Sequence, residues 1–241
     1  MAEESIKLFS TRAERYPQPD ASDAVYSALE KTIDQVPVFG PATTLMMSRF
    51  WVPSASRRLE EWLKEFARDF DEHCSHCNIE SLVNDEAFVS ASIQVARIVV
   101  GTHQQEKWEY LRNALLSVAG GKGPDEVRQQ IFLNSIEAFS PAHVKALDVI
   151  WRGGGRKIPW DENAIPIPQR NYGAAIGLIA PELKGQPSLL SAVLGDLRTR
   201  GFSTIAGPDL SFPQGGVITN LGIEFLNFVL RPPEIRSNQM K

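Results

Sequence analysis

Cysteine is nearly absent: only Cys74 and Cys77 occur among 241 residues. So little cysteine excludes the disulfide framework that holds small secreted domains together, and it suits a reducing compartment. Long apolar runs are missing as well, and no stretch of about eighteen apolar residues exists to cross a bilayer as a standard helix. The first twenty residues, MAEESIKLFSTRAERYPQPD, mix charges of both signs and lack the cationic-then-apolar order of a secretory signal. A cytoplasmic location is expected. The chain also contains no G-x-S-x-G, no H-E-x-x-H and no dinucleotide fingerprint. Its one glycine-rich stretch with cations, GGGRK from Gly153 to Lys157, lacks both the P-loop spacing and a preceding strand. Enzymatic activity is therefore not expected.

What is present suffices for a sizeable core, since 43% of the residues are hydrophobic and 22% charged. A net charge of -4 gives the whole chain no attraction for phosphate backbones or anionic lipid. The charge is uneven. Residues 1–151 carry 15 Lys and Arg against 22 Asp and Glu, residues 152–171 carry 4 against 2, and residues 172–241 carry 6 against 5. Any nucleic-acid contact is thus expected in the C-terminal third.

The spacing of apolar residues predicts helices through the first two thirds. From Ser22, Val25, Leu29 and Ile33 recur every fourth position until Pro37. In SASRRLEEWLKEFARDF, Leu59, Trp62, Leu63, Phe66 and Phe70 share one face, with charges around the rest. A longer pattern starts at Asn84 as N-cap, with Phe88, Ala91, Val95, Ile98 and Val99 and then Trp108, Leu111, Leu115 and Val118. It stops at Gly120-Gly121, and a kink or break is expected at Gly101 within GTHQQEK. Pro124 and Pro141 are expected at first helical positions of two shorter helices.

Composition then changes. WRGGGRKIPWDENAIPIPQR reads as a Gly/Pro-rich linker, residues 152–171. Beyond it come two short helices, a strand FSTIAG, a loop DLSFPQGG, a strand VIT and a last helix NLGIEFLNFV. That order predicts a small winged-helix-like α+β module over residues 172–241, attached to a helical bundle over residues 1–151. The expected class is mainly α. VPVFGPATTLMMSRFWVPSASRRLEEWLKEFA and THQQEKWEYLRNALL are similar to segments of uncharacterised bacterial helical proteins, which end in a Thr-x-Leu-Gly-x-x-Phe-Leu stretch found here from Thr219 to Leu226. The apolar Pro/Gly segment more faintly resembles abortive-infection-type phage-defence proteins. These resemblances imply a role in stress or defence and supply no catalytic residues.

Four groups of residues carry candidate chemistry. His73, Cys74, His76 and Cys77, within HCSHC, are good zinc ligand types, but five adjacent residues do not readily converge on one tetrahedral centre and no second ligand pair exists. On a helix, His73, His76 and Cys77 share a face, and His103 or Asp71 would have to complete the site. The rival reading is a helix end whose histidines face the dipole. Zinc is the only cofactor in view. His103, Glu106, Lys107 and Glu109 form either an acid–base patch or a solvated helix irregularity. Lys184, Ser191, Arg198, Thr199 and Arg200 would meet DNA if the helix from Ser188 to Arg200 read a groove, with residues 207–215 as the wing, although Asp196 opposes phosphate there and the wing has no Lys or Arg. Met46, Met47, Phe50 and Trp51, within residues 36–53, would touch a membrane or a partner if they are not core. The expected function is a non-enzymatic interaction protein with a protein partner or self-association. A DNA-binding regulator and a membrane-acting effector are the alternatives.

Overall fold

The structure is a computed structural model that describes residues 26–29, 52–74, 77–153, 172–205, 207 and 217–230. Residues 36–51 with Met46, Met47, Phe50 and Trp51, residues 154–171 of the expected linker, His76 and residues 208–216 of the expected wing lie outside the described residues. Among those described, 79% are helical. The elements in order are α1 (Val52–His73), α2 (Ile79–Leu82), α3 (Glu86–Gly101), α4 (Gln105–Ala119), α5 (Glu126–Ala138), α6 (Pro141–Gly153), α7 (Tyr172–Ile179), a 3-10 turn (Pro181–Leu183), α8 (Pro187–Thr199) and α9 (Asn220–Leu230). Residues 26–29 are helical too, and Leu29 is buried.

Local chemistry sets the boundaries. Asp85, one residue past the expected Asn84, caps α3 by accepting from the N–H groups of Ala87 and Phe88 at 2.8 and 3.3 Å. The long pattern does break at Gly101: Thr102 leaves the helix and Gln104 restarts it, so α3 and α4 are separate helices. Asp125 caps α5, which puts Pro124 before the cap rather than inside the first turn. Pro141 does open α6. Gly121 at φ 65° and Gly201 at φ 77° end α4 and α8, where a side chain would be strained.

α4 lies at the centre, packed against α1, α3, α5 and α9. The expected single stripe of Trp108, Leu111, Leu115 and Val118 understates its burial. Tyr110, Ala114 and Leu116 are buried on other faces, together with Asn113 and Ser117. A helix apolar on most sides is a core helix. α1 lays Trp62, Phe66 and Phe70 into this core; Trp62 and Phe66 stack at 5.4 Å, and the Trp62 indole N–H donates to the Trp108 carbonyl at 3.0 Å.

The expected winged-helix-like α+β module is corrected by the structure. No strand forms among the described residues, and the two segments read as strands meet only in one antiparallel bridge between Ser203 and Ile218. Their apolar side chains serve helix packing instead. Phe202, Ile205 and Val217 are buried, and Phe202 stacks on Phe225 of α9 at 4.7 Å while lying 6.1 Å from Phe132 of α5. With α7 and α8 packed on α6, and α9 on α4 and α6, these three C-terminal helices continue the helical core.

The Thr-x-Leu-Gly-x-x-Phe-Leu stretch has a structural reading. Thr219 Oγ1 donates to the Gly201 carbonyl at 2.7 Å and accepts from Gly222 N–H at 3.0 Å, capping α9 against the end of α8. Gly222 lies against the preceding loop so closely that an added Cβ would sit 2.2 Å from the Phe202 carbonyl oxygen. Phe225 and Leu226 are fully buried. Gly222→Ala is expected to destabilise the fold by about 3 kcal/mol, because the obstacle is backbone and does not yield as a side-chain tip would. Urea unfolding measures this; an unchanged midpoint would contradict the packing.

Candidate functional site

The break between α3 and α4 opens onto a concavity lined largely by charged and amide side chains. Two adjoining cavities, about 390 and 520 Å³, share Gln105 and Glu106 at the start of α4. The smaller lies between α1 and α4 and is lined by Glu65, Arg68, Asp69, Glu109 and Arg112 as well. The larger continues to the N-terminus of α6 and the 3-10 turn, where Ser140, Lys145 and Glu182 line it.

Ion pairs fix the walls. Arg112 joins Asp69 at 2.7 Å and also Glu65, tying α4 to α1, and Lys145 joins Glu106 at 2.8 Å, tying α6 to α4. Glu109 and Glu182 pair with no cation among the described residues. The groove therefore keeps surplus negative charge on a backbone held by charge-assisted bonds.

The four residues expected around the break separate. His103 is exposed and precedes α4, so it shares no helix face with Glu106. Glu106 faces the groove, and Glu109 lines it. Lys107 turns inward, with its ammonium donating to the Glu137 carbonyl at 2.9 Å. Burial holds its pKa below the ordinary lysine value, against the attraction of Glu137. It is a buttress between α4 and α5 rather than a groove residue.

The sequence reading did not single out Ser140, His143 and Asp196, which the fold brings together. His143 lies on the first turn of α6, buried and stacked flat on Phe139 at 4.6 Å. Ser140 N–H donates to its Nδ1 at 3.1 Å, so that nitrogen is an acceptor and the neutral ring carries its proton on Nε2. Nε2 in turn faces the Asp196 carboxylate of α8 at 3.3 Å, and Ser140 Oγ lies 2.9 Å from Nδ1. Only the local S-P-x-H spacing was visible in the sequence; Asp196 is 53 residues further on. Burial lowers the His143 pKa, while the hydrogen bond and charge of Asp196 oppose that shift.

The other expected sites have these positions. α1 ends at His73, whose Nδ1–H donates to the Asp69 carbonyl at 2.8 Å, so Cys74 and Cys77 lie outside the helix and Cys77 shares no helical face with His73, while His76 lies outside the described residues. Cys74 is fully buried, and Cys77 is half-buried with its thiol directed at the Ala119 carbonyl, 3.7 Å away. Among the described residues, no three His, Cys, Asp or Glu side chains group as a metal site. On and beside α8, Lys184, Ser191, Arg198, Thr199 and Arg200 are all exposed. Arg200 is already engaged: its guanidinium lies 5.1 Å above the Phe139 ring and reaches Ser135 Oγ at 3.4 Å. No described helix is long and apolar enough to cross a membrane. Comparison with family models, with curated proteins and with solved structures found no match.

Two outcomes follow from the buried titratable groups. Burial, and after it the hydrogen bond to Cys77, pushes the Cys74 thiol up to about 12, which removes the reactive thiolate at neutral pH. Iodoacetamide is expected to modify Cys77 in the native protein and to reach Cys74 only on unfolding; equal rates, read by mass spectrometry, would contradict this burial. For His143 the folded-state pKa lies below the unfolded value of about 6.5. Its contribution to stability is complete above that value and is lost as pH falls through the folded-state pKa. The melting temperature is expected to drop between about pH 7 and pH 5 more steeply in the unaltered chain than in His143→Gln; parallel curves would contradict the assignment.

Proposed function

We propose that this chain is an interaction protein that docks a basic segment of a protein partner in the groove between α1, α4 and α6. The observation that carries this reading is the charge arrangement of the groove: Glu65, Asp69, Glu106, Glu109 and Glu182 line it against Arg68, Arg112 and Lys145, and Arg112 and Lys145 are committed to carboxylates of the protein itself. A groove of this sign attracts Lys and Arg side chains, and its ion-paired walls limit the ordering cost of binding. Residues 52–74 and 77–151, with 10 Lys and Arg against 15 Asp and Glu, extend the same field around it, which repels nucleic acid. A setting in stress or phage defence rests on the sequence resemblance alone.

The test is titration of the full chain with labelled peptides that are Arg/Lys-rich, neutral or acidic. Selective binding of the basic peptides is expected, weakened about fivefold or more when salt rises from about 0.05 to about 0.3 M. The double change Glu109→Lys and Glu182→Lys is expected to reduce that binding at least about tenfold, or about 1.4 kcal/mol. Binding that ignores peptide charge, or none at low salt, would contradict the proposal.

A further inference from the structure

The larger cavity has at its edge an arrangement of groups that docking does not use. Ser140 lines the cavity; its Oγ lies 2.9 Å from His143 Nδ1, and His143 Nε2 lies 3.3 Å from Asp196 Oδ2. The geometry points to a second site here, in which Ser140 is the nucleophile of an acyl-transfer reaction, His143 its general base and Asp196 the positioning residue for the imidazole.

The three groups come from two elements, the first turn of α6 with its cap and the last turns of α8, so the relay depends on the tertiary fold. It is recognised by role rather than by position in the chain, as with other serine–histidine–carboxylate constellations. Here the two ring nitrogens exchange their usual duties. Nδ1 accepts from Ser140, and Nε2–H points at the carboxylate. Either nitrogen serves where its lone pair faces the hydroxyl and the far nitrogen carries a stabilised proton; here that lone pair is shared between Ser140 N–H at 3.1 Å and Ser140 Oγ at 2.9 Å. The Phe139 face fixes the ring plane, and burial keeps the ring neutral and able to accept. Lys107 of α4 lies near enough to disfavour the imidazolium, whereas Asp196 favours it.

In the reaction, Oγ attacks the carbonyl carbon of an ester while its proton passes to Nδ1, and Ser140 N–H gives up its contact with that nitrogen. The carbon–oxygen bond to the leaving alcohol breaks, and that alcohol takes the proton from Nδ1. Water, deprotonated by Nδ1, then attacks the acyl-Ser140 carbon; the carbon–Oγ bond breaks, Oγ takes the proton from Nδ1, and the carboxylic acid is released. Ala142 lines the same cavity, and its backbone N–H lies in the first turn of α6, where amides have no intrahelical acceptor and the helix dipole favours an oxyanion. Gln104, Gln105, Glu106, Lys145 and Glu182 line the rest of the cavity together with Pro141, a mixed wall that suits a short acyl group with a polar substituent better than a fatty chain.

The probe is a tagged alkyl fluorophosphonate, which forms an Oγ–phosphorus bond with loss of fluoride at an activated serine. With the full chain, one label per molecule is expected, mapped by mass spectrometry to the peptide holding Ser140 and absent in Ser140→Ala. Asp196→Asn is expected to slow labelling by about a hundredfold and to shift the midpoint of its pH profile, and Asp196→Glu to restore part of the rate. Asp196 is exposed, so these changes leave the core intact. The mapped position in the unaltered chain decides the matter even if Ser140→Ala fails to fold. No label, a label on another residue, or a rate indifferent to Asp196→Asn would overturn the proposal.

Discussion

Burial of α4 on most of its circumference is the constraint on which the rest of the structure depends. Ten of its fifteen residues are buried, and α1, α3, α5 and α9 pack along it. Each large apolar side chain so enclosed contributes about 2 kcal/mol of transfer free energy, but only if every neighbour is in place. The polar groups on α4 answer to the same constraint: Asn113 is buried and donates to the Val229 carbonyl of α9 at 2.9 Å, and Lys107 reaches the end of α5. A buried amide left without that carbonyl would cost about as much as a lost core contact.

The aromatic cluster extends this core toward the C-terminus. Phe132, Phe139, Phe202, Phe225 and Phe228 meet with ring centroids between 4.7 and 6.2 Å, combining α5, the end of that helix, the turn after α8 and α9. Phe139 also supports the flat face of His143 and lies beneath the Arg200 guanidinium. The same ring thus joins the core to His143, which contacts the cavity-lining Ser140. The Ser140–His143 contact leans on the core, whereas the charged groove between α1 and α4 is made of exposed and half-buried groups whose loss would leave the aromatic core unaltered.

Periodicity made the helices legible, because apolar spacing in α1 and α3 records directly which face each helix buries. It was less informative for α4, where Tyr110, Ala114 and Leu116 fall off the single stripe that the pattern suggested. The winged-helix expectation failed because FSTIAG and VIT have strand-like composition, while their buried side chains, Phe202, Ile205 and Val217, are used against helices; propensity yields to packing. GTHQQEK was correctly read as an irregularity, yet its concavity was invisible because α1 and α6 supply the other walls. His143 carried no signal of its own, since its partner Asp196 read as an exposed acid on a different helix. HCSHC, the most chemical-looking stretch of the sequence, is divided by the end of α1, and its first cysteine is core.

The central claim is that α4 and α9 belong to one cooperative core, which positions α6 and α8 and hence the polar cavities. Native-state hydrogen exchange tests it most directly, by comparing amides of Leu111 to Leu115 in α4 with those of Phe225 to Val229 in α9 across increasing denaturant. The account predicts that both sets open only with the whole molecule and converge on one unfolding free energy. Exchange of the α9 amides at a much lower free energy, while α4 stays protected, would contradict it.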